Sequence, residues 1–362
     1  MTNEYKNQLN HKVNHFIENL LLVGVDKNVV ENISISPSKE KHYRMRAEFR
    51  IWHDGDDIFY AMHKPDTKEI YTLTTFPAAS AQINEAMPKL LDAIRDNELL
   101  RRKLFQVEFL SSLKGELLIS MIYHKPLDES WDAEARKLEQ TLNAFIIGRA
   151  RKQKRVLTQD YVMESLTVFD QPFDYQQVEN SFTQPNAEVC IKMLEWTINQ
   201  INKSEHSAKD LLELYCGNGN FTLPLAKHFR RVLATEVSKT SVRSALYNAD
   251  LNQIDNLTIA RLASEEVVQA LDKVRPFRRL KDIDLDSYDF STLFLDPPRA
   301  GLDENTLQLA NRFDNIVYIS CNPETLLENL QSLKQHTVRS VAAFDQFPFT
   351  HHLEVGVILE KK

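Results

Sequence analysis

Cysteine is scarce in this chain: of 362 residues only Cys190, Cys216 and Cys321 are cysteines, and no close C-x-x-C pair occurs. Three scattered thiols argue against a disulfide scaffold, a zinc ribbon or a four-thiolate iron–sulfur cluster, and they fit a reducing cytoplasm. No stretch approaches the roughly 18 consecutive apolar residues of a membrane span. The opening MTNEYKNQLNHKVNHF has no basic segment followed by an apolar one, so no secretory leader is expected, and it reads as the start of an amphipathic helix. An excess of positive charge is missing too. The formal net charge is -7, whereas proteins that grip phosphates usually carry a basic balance. A nucleic-acid partner would therefore have to be met by local charge. There is no internal repeat and no low-complexity segment.

What is present suits a water-soluble globular protein of two domains, since 43% hydrophobic and 26% charged residues are enough to build a sizeable core. The two halves differ in pattern. In HYRMRAEFRIW, Tyr43, Met45, Ala47, Phe49 and Ile51 alternate with Arg44, Arg46, Glu48, Arg50 and Trp52, the period of a half-buried strand. Asp54-Gly55 and IFYAM then suggest a hairpin. Residues 104–110 and 117–123 read as a second strand pair, and LDESWDAEARKLEQTLNAF as a helix between strands. From about residue 185, strands and helices alternate: helix AEVCIKMLEWTINQIN, strand LLEL, helical FTLPLAKHF, strand RVLATEV, helix KTSVRSALYNADLN, then STLFLD and IVYISC around helix ENTLQLANRF. The end reads as two strands joined by a Phe-Pro connection. The expectation is an α/β chain. Residues 1–170 form an N-terminal α+β, strand-rich domain, and residues 171–362 a doubly wound, Rossmann-like domain with a mostly parallel sheet closed by an antiparallel pair.

LLELYCGNGNFTLPLA runs from strand through a glycine turn into a helix, and Glu236 ends the next strand, nineteen positions after Gly217. A carboxylate there can accept both ribose hydroxyls of an adenosine. A bare G-x-G is weak evidence and is often an ordinary loop. Two details favour S-adenosylmethionine over a dinucleotide. Tyr215 and Asn220 flank the turn with no third glycine, so the phosphate cradle is incomplete, and this cofactor has no phosphate to hold. LFLDPPRAG then places Asp296 at a second strand end, where a carboxylate can grip the cofactor or orient a base, although a turn or helix cap is the plainer role.

IVYISCNPETL leads another buried strand into a turn, placing Cys321 at the same sheet edge, ahead of a helix opened near Glu324. A helix N-terminus there is expected to lower the thiol pKa. Cys190 and Cys216 read as small buried hydrophobes. Uracil C5 is a poor nucleophile, but thiolate addition at C6 makes C5 nucleophilic, and a base must later remove the C5 proton. Glu354 in THHLEVGV enters an otherwise apolar strand, where burial raises a carboxyl pKa. His351 and His352 are alternative bases.

ENSFTQPN, LLELYCGNGNFTL, LFLDPPRAGLD, YISCNPETL and FDQFPFTHHLEVGV together resemble the uracil-5 RNA methyltransferases, above all their bacterial tRNA branch, over nearly the whole chain. The resemblance implies a fold of the class I methyltransferase type and contacts from Gln184, Tyr215, Asn220, Glu236 and Asp296 to S-adenosylmethionine. It implies Cys321 as nucleophile and Glu354 as proton acceptor, with uridine 54 of the tRNA T loop becoming ribothymidine, and the equivalent uridine of transfer-messenger RNA as a further target. The rRNA relatives carry an iron–sulfur cluster on four N-terminal cysteines. With no cysteine before Cys190 this chain departs from them, and neither a metal nor an obligate protein partner is expected. Local basic clusters suit RNA phosphates: Arg44, Arg46 and Arg50 on one strand face, and GRARKQKR with Arg149, Arg151 and Lys152. Phe105 and Trp52 could stack on opened bases, although core packing is the plainer fate of each. The competing readings are an rRNA uracil-5 methyltransferase, an amino-methyltransferase with a D-P-P loop, a nicotinamide oxidoreductase, and a non-catalytic tRNA-binding or folding protein.

Overall fold

The alternation in HYRMRAEFRIW becomes the strand Arg46–Asp54, whose Ala47, Phe49 and Ile51 are buried while Glu48, Arg50 and Trp52 face out. The computed structural model describes residues 1–55, 57–64, 67, 69–203 and 209–362. They divide into two compact units, one of residues 40–165 and 176–181, the other of 1–39, 166–175 and 182–362. The sequence suggests one boundary near residue 170. Instead the first 39 residues group with the C-terminal part, and the chain passes between units four times.

In the unit of residues 40–165 and 176–181, a seven-stranded sheet has the order Ile70–Leu73, Asp57–His63, Arg46–Asp54, Leu104–Ser111, Leu117–Tyr123, Phe145–Ala150, Gln153–Val156. Neighbours are antiparallel except Leu117–Tyr123 and Phe145–Ala150, which run parallel because the helix Glu129–Leu142 makes the crossover between them. That helix starts where the Asp128 side chain accepts the Trp131 N–H at 3.0 Å. Its Trp131, Ala135 and Leu138 join Ile83, Met87 and Leu90 of the helix Ala81–Arg95 in one core over the sheet.

The other unit holds an eight-stranded sheet in the order Ser34–Ser36, His336–Phe344, Glu354–Lys361, Asn315–Ser320, Phe290–Leu295, Asp210–Leu214, Arg231–Thr235, Leu257–Ala260. All pairs are parallel except the two made by Glu354–Lys361, so the expected doubly wound sheet with an antiparallel C-terminal pair is present. The strand order turns back between Asp210–Leu214 and Phe290–Leu295, which opens a crevice at their carboxyl ends. FTLPLAKHF is helical only over Thr222–Ala226, because Lys227 and His228 bond three residues back and tighten the last turn. The N-terminal helix Asn3–Leu22 lays Tyr5, Leu9, Val13, Phe16 and Leu20 into this unit's core. No helix among the described residues is long and apolar enough to cross a membrane.

Candidate active site

Three strand ends converge on the crevice. After Leu214 the chain enters Tyr215–Asn220, with Tyr215 at φ +63° and Gly217 at +56°. The left-handed turn costs glycine nothing, but it strains tyrosine, a cost the surrounding fold sustains. The turn delivers the Gly217 N–H to Glu236 Oε2 at 3.1 Å, and the Ser238 N–H reaches Glu236 Oε1 at 2.7 Å. Glu236 is thus held as an acceptor with lone pairs to spare. Asn220 donates to Cys190 Sγ at 3.2 Å, and Gln184 accepts from Gln346 Nε2 at 2.8 Å.

Asp296 follows the second strand. Its loop returns through Gly301, φ +75°, where an added Cβ would lie 2.8 Å from Asn329 Oδ1. Asn329 Oδ1 accepts from both Leu302 N–H (3.0 Å) and Tyr318 O–H (2.8 Å), which fixes the D-P-P loop against the helix Pro323–Ser332. Cys321 leaves the third strand just before that helix, whose cap is the Asn322 side chain. Glu354 opens the antiparallel strand between Asn315–Ser320 and His336–Phe344, with Val355 opposite Ser320. Extending that register by one step sets Glu354 against Cys321.

The electrostatics of the site are those of buried acids. Burial, with Asp296 adding repulsion, pushes the Glu354 carboxyl up to about 8. Asp296 is pushed to about 7 by burial. Glu213, 1% exposed within the strand Asp210–Leu214, is pushed to about 8 by burial and by Asp296. The thiol departs from expectation. Cys321 is raised to about 11, first by burial and then by Glu354 and Asp296, with Arg299 opposing. Its place ahead of a helix does not make it acidic, because desolvation and two carboxylates outweigh the helix end. His352, an alternative base by sequence, lies 3.3 Å from Arg299 through Nδ1.

These interactions bring Cys321, Glu354, Asp296 and Arg299 together, with Glu213 near enough to feel the charge of Asp296. Glu213 and Arg299 were missed as site residues. The only sequence signal for Glu213 was an acid inside the apolar run LLEL. An adenosine with a sulfonium fits this crevice: Glu236 suits ribose hydroxyls, the space beside Gly217 is open, and Glu213 Oε2 is a buried acceptor with no hydrogen bond, in an acidic cluster that favours a cation. No group of three or more His, Cys, Asp and Glu side chains among the described residues could hold a metal.

The basic residues of the other unit fall into two groups. Arg46 is spent on structure, donating to Glu179 O (2.6 Å) and Ser181 O (2.9 Å), and Arg149 forms a two-pronged ion pair with Glu179. Arg44 donates to Arg46 O at 2.7 Å. Arg50, Arg151 and Lys152 are exposed. Arg50 lies over the Phe105 ring (4.8 Å), and that ring stacks on His124 (4.2 Å) in a shallow groove also lined by Arg101, Arg102 and Lys103.

The profile of the tRNA (uracil-5-)-methyltransferases matches residues 4–362. The chain belongs to this family. Its reaction class is methyl transfer to C5 of uracil in tRNA. Curated tRNA/tmRNA (uracil-C(5))-methyltransferases are similar throughout: that of Cellvibrio japonicus is 59% identical, covering 91% of this chain and 90% of its own. That of Vibrio parahaemolyticus is 54% identical, covering 99% and 97%. The fold is shared with the Pyrococcus abyssi tRNA (uracil-54, C5)-methyltransferase solved with S-adenosyl-L-homocysteine, at a TM-score of 0.73 and 20% identity, covering 98% of this chain and 83% of that one.

Proposed function

We propose that this chain acts in the cytoplasm, transferring a methyl group from S-adenosylmethionine to C5 of uridine 54 in the tRNA T loop, and to the equivalent uridine of transfer-messenger RNA, through a covalent Cys321 adduct. What supports the route is that, one step beyond the Ser320–Val355 pair, a thiol and a buried carboxylate stand close enough to interact. The relatives' named substrates, tRNA and tmRNA, support the choice of RNA.

Glu236, the Tyr215–Asn220 turn and Gln184 would hold the cofactor's adenosine and tail, and the acids Asp296 and Glu213 would favour its cationic sulfur. When bound, S-adenosylmethionine supplies a methyl group on a positively charged sulfur. The Cys321 thiol gives its proton to solvent, its sulfur bonds to C6 of the uracil, and the C5–C6 π electrons move to the C4 carbonyl to give an enolate. C5 then takes the methyl, whose bond to the donor sulfur breaks with its electron pair left on that sulfur. Glu354 removes the proton left on C5, the C5–C6 double bond re-forms, and the C6–S bond breaks with its electron pair returning to sulfur. A carboxyl raised to about 8 is, once its own proton is lost, a stronger base than an ordinary one. Arg299 favours the thiolate. The groove of Phe105, His124, Arg50 and Arg101–Lys103, together with Arg151 and Lys152, supplies stacking and phosphate contacts for the opened loop.

Glu354→Gln tests the route. It keeps shape and hydrogen bonding but cannot take the proton, so a methylated, denaturation-resistant RNA–protein adduct should accumulate and disappear when Cys321→Ala is added. Turnover near the parent rate with no trapped adduct would show that another group is the base.

A further inference from the structure

The buried stripe of the helix Asn3–Leu22 contains one cation. Lys12 sits among Tyr5, Leu9, Val13, Phe16 and Leu20, and is 8% exposed. Packing alone asks for an apolar side chain here, since a buried ion pair is often no more stabilising than a well-packed hydrophobe. Burial does pull the Lys12 ammonium below its ordinary value, against the pull of Asp345. Something other than core stability has to account for the charge.

Its contacts are specific. The ammonium donates to Asp345 Oδ1 (2.6 Å), Phe347 O (3.3 Å) and His352 O (3.0 Å), so three donors meet three acceptors. All three acceptors lie in the connection between the strand ending at Phe344 and the strand opened by Glu354. The same helix grips that connection twice more: Tyr5 O–H donates to Asp345 Oδ2 at 2.8 Å, and Gln8 donates to Thr350 O. Next to Asp345, the fully buried Gln346 turns the other way, towards Gln184 and the amide of Asn186 (3.1 Å). The connection is therefore pinned at its start and tied near its end by a single nitrogen, two residues before Glu354.

We propose that Lys12, with Tyr5 and Asp345, is a positioning residue for proton removal, closing the 345–352 connection into a ring whose exit sets the direction of the Glu354 carboxylate. A carboxylate that collects a proton from carbon must be aimed at it, and a misplacement of about 1 Å can cost on the order of a hundredfold in rate. The proposal rests on Glu354 being the base, and it concerns only the step after methyl transfer.

The test uses full-length enzyme, S-adenosylmethionine labelled in the methyl group, and a T-arm transcript containing 5-deuterouridine. Lys12→Met should lower turnover about ten- to a hundredfold. It should also raise the share of enzyme held as methylated adduct several-fold and bring out a primary deuterium isotope effect on turnover, with RNA and cofactor affinity within about twofold of parent. A purely structural role would lower the melting temperature or binding and leave adduct share and isotope effect at parental values, and that result overturns the proposal. If Lys12→Met does not fold, Lys12→Arg carries the test: the ion pair survives, while a planar fork replaces the single nitrogen that joins two carbonyls, and the same two readouts should rise or the proposal fails. Glu354→Gln run in parallel separates the two readings. No adduct from that variant removes the base assignment itself, whereas adduct from it and none from the Lys12 variants removes only this inference.

Discussion

Two glutamates in different units are almost equally hidden, Glu179 at 3% exposure and Glu354 at 5%, yet they titrate in opposite directions. Burial works to raise both. At Glu179 it is outweighed by the paired Arg149, by Lys154 at 3.2 Å and by the Ser120 hydroxyl at 3.0 Å, and the carboxyl ends below its ordinary value. At Glu354 the nearest charge that acts is another carboxylate, and the value climbs to about 8. Burial therefore does not distinguish a structural acid from a chemical one, but the company of charges does. A buried acid with its cation stays charged, and one left among other acids is a candidate for meeting a ligand or a proton.

The sharpest break between the two kinds is Cys321→Ala. Turnover should fall at least about a thousandfold, as when a covalent nucleophile is removed, while the melting temperature and S-adenosylmethionine affinity stay close to parent. Labelled-methyl transfer, calorimetry and thermal denaturation measure the three. Arg149→Met should do the reverse. Losing the guanidinium leaves buried Glu179 to Lys154 and the Ser120 hydroxyl and should cost stability, though less than the roughly 3–5 kcal/mol of a fully stranded charge, and Glu179→Gln placed on top should restore much of it, as read by denaturant melts. A melt unchanged by Arg149→Met would end the contrast drawn above.

A third effect is one of pH. Glu213, Asp296 and Glu354 have folded-state values above those of free carboxyls, so the folded protein keeps protons that the unfolded chain has released. Their contribution is fully present below the ordinary carboxyl range and is lost as pH rises through about 7 to 8. Glu213→Gln should make the fall in stability between pH 5 and 8.5 shallower, by on the order of 2 kcal/mol. Glu179, held low, contributes above the ordinary carboxyl value and loses its contribution in acid, so Glu179→Gln should lower stability at neutral and alkaline pH and flatten the fall in acid, leaving the slope between pH 5 and 8.5 unchanged. The smallest effect concerns RNA. Arg151→Ala with Lys152→Ala should reduce the salt dependence of tRNA binding by about 0.7 to 0.9 per lost phosphate contact, while Arg46→Ala should show up in stability.

The parts of the site that were legible in the sequence are those written locally. A strand running into Cys-Asn-Pro, a second into Asp-Pro-Pro and a third into a glycine turn each announce their own edge, and parallel topology brings such edges together. The thiol's direction was not legible, because it is raised first by burial within the fold and then by carboxylates that arrive from residues 354 and 296. Nor was the fate of GRARKQKR: Arg149 and Arg155 look like free cations until Glu179 and Asp132 are brought to them by the fold. The unit boundary was missed for a related reason. Ser34–Ser36 is too short to show any periodicity, and it joins the sheet only by lying parallel to His336–Phe344.

That pairing sets an order of events during synthesis. Residues 40–181 contain everything needed for the unit closed by Glu179, whereas residues 1–39 have partners near residue 345 that do not yet exist. At about 5–20 residues per second, roughly eight to thirty seconds separate the synthesis of Glu179 from that of Asp345. Throughout that interval the first helix carries an apolar stripe and a lysine with nothing to dock on. The helix Asn3–Leu22 is thus among the later elements to settle, so a nascent chain stalled before Asp345 would hold residues 40–181 with that helix still undocked from residue 345.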